Sequence, residues 1–178
     1  MTTLRTAHTA DLTRAELAAV RALLDDAFEG DFSDEDWDHG LGGIHVCVQD
    51  NAGVFLAHGS VVQRRVLHAG RSYRVGYVEA VAVRADARRR GLGGQVMAAL
   101  ERVVEGAYAF GALSASEEGA TLYTARGWQV WPGRIAALSP SGIHRMREEE
   151  GTTFLWPGRA ELSPPDELVF DWRDGDVL

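Results

Sequence analysis

Tyr77-Val78-Glu79-Ala80-Val81-Ala82-Val83-Arg84 runs into Arg88-Arg89-Arg90-Gly91-Leu92-Gly93-Gly94 and then into Gln95-Val96-Met97-Ala98-Ala99-Leu100-Glu101. The first segment is an apolar strand pattern, the second an arginine and glycine turn, the third the opening of a helix. That order presents free backbone N–H groups to an anion. A helix leaves its first four amides without intrahelical partners, and its dipole favours negative charge at that end. Gly91, Gly93 and Gly94 remove side chains that would block close approach. Arg84 and Arg88 to Arg90 add positive charge and forked donors. The stretch reads as a cradle for a pyrophosphate.

Upstream of it, Val54 to Leu67 reads as a strand bent near Gly59. Ala69-Gly70 turns it into Ser72 to Val83, an antiparallel meander that enters the glycine turn. Further back, Ile44 to Gln49 is a strand and Asp50-Asn51-Ala52-Gly53 a turn. A short helix is expected after Ser33, where Asp34, Glu35 and Asp36 suit a helix start. Thr13-Arg14-Ala15-Glu16 is a capping-box pattern, with Leu17, Val20, Leu24 and Phe28 near one helical face. Leu4 to His8 makes a first strand.

Downstream, the helix is expected from about Gly93 to Tyr108, then a strand from Ala109 to Ser114. Ser116 can cap a helix carrying Ala120, Leu122, Tyr123 and Ala125, which Gly127 ends. Trp128 to Trp131 begins another strand, broken by Pro132-Gly133. Ser139 to Gly151 reads as a polar loop region, and Thr152 to Trp156 and Leu168 to Trp172 as closing strands. The fold class is α+β (mixed α/β), with helices interrupting a largely antiparallel sheet. Length suits one domain over residues 1–178.

Hydrophobic residues make up 46% of the chain, enough for a core. No apolar stretch approaches the ~20 residues of a membrane span, so no membrane association is expected. The segment Met1-Thr2-Thr3-Leu4-Arg5 lacks a signal-peptide core, which makes cytoplasm the expected location. The single Cys47 forms no internal disulfide and sits in an apolar strand pattern, as a core residue does. The histidines and Cys47 show no ligand spacing, so no metal site is expected. All 18 basic residues are arginine, which excludes a lysine Schiff base.

The net charge of −8 disfavours nucleic acid as a partner. The acid is focused: Asp25 to Asp38, Glu148-Glu149-Glu150, and Asp171, Asp174 and Asp176. One basic patch stands against these segments. That suits an enzyme with one anionic and one polycationic substrate. Acidic loops that only keep the surface soluble explain the same charges.

Arg88-x-x-Gly91-x-Gly93 after the strand Val81 to Arg84 resembles the acyl-CoA-binding motif of the GNAT N-acetyltransferases. Leu122-Tyr123-x-x-x-Gly127-Trp128 resembles the second motif of that superfamily. Gly30-Asp31-Phe32, Asp36-Trp37, Leu41-Gly42-Gly43, Gln63-Arg64-Arg65, Gly76-Tyr77-Val78-Glu79, Val81-Ala82-Val83-Arg84-Ala85-Asp86, Gly111-Ala112-Leu113-Ser114 and Asp171-Trp172-Arg173-x-Gly175-Asp176-Val177 are similar to the actinobacterial aminoglycoside 2′-N-acetyltransferases. These strings extend from Gly30 to the C-terminal segment.

The resemblance implies a GNAT fold, in which two neighbouring parallel strands splay apart and the pantetheine arm lies in the gap. It implies that acetyl-CoA, the cosubstrate, pairs with backbone of Val81, Ala82 and Val83. The pyrophosphate would sit on amides of Arg88, Arg89, Arg90, Gly91, Leu92 and Gly93. It implies Glu79 as the base that takes a proton from the amine, directly or through water, and Tyr123 as the acid that protonates the leaving thiolate. Asp31, Ser114, Glu149 and Asp176 match substrate contacts, with Glu79 and backbone near Ala80 at the reacting amine, and Asp36 is a weaker match. Family members are homodimers, and the same is expected here. Two positions depart from the family: Leu178 stands where Trp is common, and Glu149 where Asp can occur. The implied reaction is direct transfer to an aminoglycoside 2′-amine in a ternary complex. The alternatives are an acetyltransferase for a polyamine or cell-wall amino sugar, and a sensor that binds acyl-CoA without turnover.

Overall fold

The computed structural model describes residues 1–164 and 166–178. The chain divides into two compact units, Met1–Val62 with Val78–Arg102, and Gln63–Tyr77 with Val103–Leu178.

The first unit starts with β1 (Thr2–His8), α1 (Arg14–Ala27), α2 (Asp34–Gly40) and β2 (Ile44–Asp50). Both helices open with a capping box, the one the sequence announces at Thr13 with Glu16 and a second at Ser33 with Asp36. β1 and β2 are antiparallel, from Thr2 opposite Asp50 to His8 opposite Ile44. The unit also holds the start of β3 (Phe55–His68), the end of β4 (Arg71–Val83) and most of α3 (Leu92–Ala107). Val20, Leu23, Leu24, Cys47, Phe55 and Ala82 form its buried cluster. Phe28 is not on that face; it is exposed at the helix end and stacks on Phe32, with ring centroids 5.4 Å apart. Gly59 lets α3 approach β3: a Cβ there would lie 2.7 Å from Val96 Cγ1 and 3.0 Å from Leu100 Cδ1. An alanine at this point overpacks the layer, at a cost of about 1–3 kcal/mol.

The second unit holds the rest of β3, β4 and α3, then β5 (Phe110–Ser114), α4 (Glu117–Arg126) and β6 (Gln129–Val130). β7 (Ile135–Ser139), β8 (Gly142–Arg145), β9 (Thr153–Trp156) and β10 (Leu168–Asp171) complete it. Strand order is β6-β9-β5-β4-β3-β10-β7-β8. β4 and β5 run parallel, Val75 to Tyr77 opposite Phe110 to Ala112. Their ladder ends there, although β4 continues to Val83. This early end is the splayed parallel pair of the GNAT fold. β7 and β10 form a second parallel pair, which the sequence did not announce. Ala69 and Gly70, at φ of 48° and 75°, make the tight reversal between β3 and β4.

Ser139 to Gly151 is not simply a polar loop. It contains the end of a β7–β8 hairpin and a 3-10 turn at Arg147–Glu149. β8 is exposed throughout, so no apolar alternation marks it. Its strand geometry comes from pairing with β7, whose Ile135, Ala136 and Ala137 are buried.

Candidate active site

In the first unit, β4 ends with Arg84 N–H donating to Leu56 O at 2.9 Å. Ala85–Ala87 make a 3-10 turn, and α3 begins at Leu92. Arg89 and Gly91 between them are left-handed, at φ of 60° and 75°. Left-handed residues in a turn aim successive N–H groups to one side and form an anion nest. Gln95 N–H donates to Gly91 O at 3.1 Å, so the amides of Leu92, Gly93 and Gly94 precede the first closed turn of the helix. A Cβ on Gly91 would meet nothing within 4 Å. Glycine is therefore needed for its φ, not for packing.

The arginine side chains are partly occupied elsewhere. Arg84 forks onto Asp86 at 2.6 and 2.9 Å, and Arg90 Nη2 donates to Asp86 O at 2.8 Å. The backbone amides of Leu92, Gly93 and Gly94 are the donors this turn could offer an anion. Nothing in this donor set conflicts with a diphosphate.

Glu79 and Ala80 lie on β4 before Val81, Ala82 and Val83. Ala80 is left-handed, at φ 49°, inside a strand. Such a residue breaks the alternation of side chains and re-aims its neighbours. Its carbonyl accepts from His58 Nδ1 at 3.0 Å. The Ser60 hydroxyl reaches the Glu79 carbonyl at 3.4 Å. His58 and Ser60 are both buried on β3, and neither was singled out in the sequence. Their partners lie about twenty residues away, which no local pattern encodes.

Asp31 is exposed in the segment between α1 and α2. Arg21 holds that segment through Asp25 at 2.7 Å, Asp34 at 2.9 Å and Phe32 O at 3.2 Å. Asp36 spends its carboxylate on the helix cap, accepting from Ser33 N–H at 2.8 Å.

In the second unit, Glu149 is 9% exposed at the end of its 3-10 turn. Its Oε2 accepts from Ser114 Oγ at 2.6 Å and from Thr152 Oγ1 at 3.3 Å. Burial, assisted by the negative charge of Asp176, holds its carboxyl above the ordinary range. Glu149, held by Ser114 and Thr152, thus keeps a buried carboxyl within electrostatic reach of Asp176. Arg64, 4% exposed, fixes the segment that carries Asp176. Its Nε donates to Asp171 Oδ1 at 2.7 Å, Nη2 to Asp171 O, and Nη1 to Val177 O at 2.5 Å. The guanidinium also lies over the Tyr77 and Phe170 rings, 5.0 and 5.4 Å from their centroids.

Tyr123 is buried on α4, beside Trp128 and Phe154. Burial pushes its phenol up to about 12, so it keeps its proton at neutral pH. Cys47 is buried and its thiol is pushed up to about 11, which leaves it inert as a nucleophile.

A family model for the acetyltransferase (GNAT) domain matches residues 8–131. An aminoglycoside 2′-N-acetyltransferase from Mycolicibacterium fortuitum is 46% identical over 179 residues, covering 98% of this chain and 91% of that protein. A GNAT family N-acetyltransferase from Escherichia coli, solved in complex with CoA, superposes with a TM-score of 0.67 at 15% identity, over 97% of this chain and 90% of that one. Eis1 from Mycobacterium abscessus superposes at 0.61 with 19% identity, over 73% of this chain but only 31% of its own length. The chain belongs to the GNAT acetyltransferases, in the aminoglycoside 2′-N-acetyltransferase family.

Proposed function

We propose that residues 1–178 act as one acetyltransferase domain, moving the acetyl group of acetyl-CoA to the 2′-amine of an aminoglycoside by direct transfer in a ternary complex. The observation that carries the reading is the left-handed turn at Arg89 and Gly91 opening into α3 at the end of β4. Likeness over nearly the whole chain to a 2′-N-acetyltransferase supports the substrate class.

Acetyl-CoA supplies a thioester carbonyl for attack. Backbone from Arg88 to Gly93 holds its diphosphate, and Val81 to Val83 offer strand edge to the pantetheine amides. Glu79 takes a proton from the ammonium, directly or through a water, because only the neutral amine attacks. Tyr123 gives its proton to the departing sulfur, and its raised value fits an acid that stays protonated until needed. Asp31, Ser114, Glu149 and Asp176 hold the other ammonium and hydroxyl groups, with the Ala80 carbonyl near the reacting amine. The protein works as a cytoplasmic homodimer, with neither nucleic acid nor membrane as partner and no metal in the reaction.

Thiol release from acetyl-CoA tests this. Aminoglycosides bearing a 2′-amine should be turned over, and analogues with a 2′-hydroxyl should not. Turnover confined to polyamines or cell-wall amino sugars would reassign the substrate, and acetyl-CoA binding without turnover would indicate a sensor. Tyr123→Phe should lower kcat about 10- to 100-fold while drug affinity stays nearly intact.

A further inference from the structure

Behind the β4 kink lies a polar chain, buried at its two histidines, that the acetyl-transfer reading does not use. Gly42 N–H donates to Thr9 Oγ1 at 2.9 Å. Thr9 Oγ1 lies 2.8 Å from His45 Nε2, His45 Nδ1 lies 3.0 Å from His58 Nε2, and His58 Nδ1 lies 3.0 Å from Ala80 O. Both rings are 1% exposed. All of these residues belong to the first unit.

With both rings neutral, the Ala80 end of the chain fixes the proton on each ring. A backbone amide can only donate and a carbonyl can only accept. Ala80 O therefore requires the proton of His58 on Nδ1. A neutral His58 then accepts at Nε2, which requires the proton of His45 on Nδ1. His45 in turn accepts at Nε2, and Thr9, whose hydroxyl also lies 3.3 Å from Gly43 O, supplies that hydrogen while accepting from Gly42. Neutral rings are what this direction requires: a proton on His58 Nε2 would reverse His45 and turn the Thr9 hydroxyl onto Gly43 O. Burial agrees: it pushes His45 down to about 4 and His58 down to about 3, the former helped by neighbouring His8 and the latter by His45.

The chain ends on the one left-handed residue of β4, directly after Glu79. A non-glycine residue in that conformation costs on the order of 1–3 kcal/mol and persists only when its surroundings hold it. We propose that Thr9, His45 and His58 form a one-directional hydrogen-bond chain that locks the Ala80 carbonyl and thereby positions Glu79 for proton transfer. This rests on Glu79 being the base. His58 and His45 are positioning residues, and neither exchanges a proton with substrate.

Two measurements test it. In nitrogen-15 spectra of the wild-type imidazoles at pH 7, both rings should be neutral with the proton on Nδ1. In steady-state kinetics, His58→Ala should lower kcat about 10- to 100-fold, with the KM for acetyl-CoA little changed. His58→Asn keeps an N–H donor at the Nδ1 position and should restore most of the rate. Protonation of His58 at Nε2 overturns the proposal, and that spectrum needs no variant to fold. Equal rates for His58→Asn and His58→Ala also overturn it, because a packing role alone predicts no such rescue. A wild-type protein inert toward every amine, with both rings in the expected tautomer, overturns the assigned activity and leaves the hydrogen-bond chain standing.

Discussion

The phosphate turn and the acid cluster are made of different materials. Between Arg88 and Gly93 the proposed ligand groups are backbone amides, aimed by two left-handed residues. Around Glu149 they are side chains, Ser114 and Glu149 being 35 positions apart and held in contact by β5 and a 3-10 turn. A backbone site depends on φ and tolerates most changes of side chain. A side-chain site depends on charge and burial and is sensitive to the loss of one oxygen. The first is written in consecutive letters; the second exists only after folding.

The largest effect should come from Gly91→Val, which forces a β-branched residue to φ 75°. Strain of about 1–3 kcal/mol predicts a roughly 10- to 100-fold rise in the KM for acetyl-CoA, with the amine KM little changed. A matching rise in both would mean that the turn supports more than the acetyl carrier.

Glu149→Gln should raise the amine KM about tenfold and leave the acetyl-CoA KM alone, since one charge-assisted contact is lost. The same change should raise the melting temperature at pH 7. The sign follows from the titration. A carboxyl whose folded value lies above its ordinary 4.5 contributes stability that is fully present below 4.5 and lost as pH rises through the raised value. Glutamine removes that loss and still accepts from Ser114 and Thr152. Thermal unfolding of both proteins between pH 4 and pH 7 checks it; a melting temperature that falls at pH 7 would contradict the desolvation argument.

The smallest effect should be that of Arg89→Gly. It deletes a guanidinium but relieves a residue at φ 60°, so the KM for acetyl-CoA should stay within about threefold. A tenfold rise would assign binding to the side chain and erase the contrast between the two regions.

The same contrast sets how much could be read in advance. The strand, turn and helix that end in Gly91 and Leu92 follow from local rules, as do the caps at Thr13, Ser33, Ser116 and Gly127. Charge clustering marks the acids of the second unit as a group, and family likeness picks out Glu149 and Asp176 among them. Glu149 looked like part of a polar loop, yet the fold buries it against Ser114 and Thr152. Arg64 and Asp171 lie 107 positions apart, and their pairing becomes visible only once β3 lies beside β10. His45 and His58 carry no signal in the sequence beyond the absence of metal-ligand spacing. Their meaning rests on a left-handed Ala80, and nothing in the letters Glu79-Ala80-Val81 announces that conformation.

Calorimetric titration of acetyl-CoA and acetyl-pantetheine, which lacks the diphosphate, tests the backbone cradle most directly. The wild-type protein should prefer acetyl-CoA by about 100-fold or more, as several oriented amides on a diphosphate require. Gly91→Val should erase most of that preference while its affinity for acetyl-pantetheine stays the same. An undiminished preference in the variant would contradict the account.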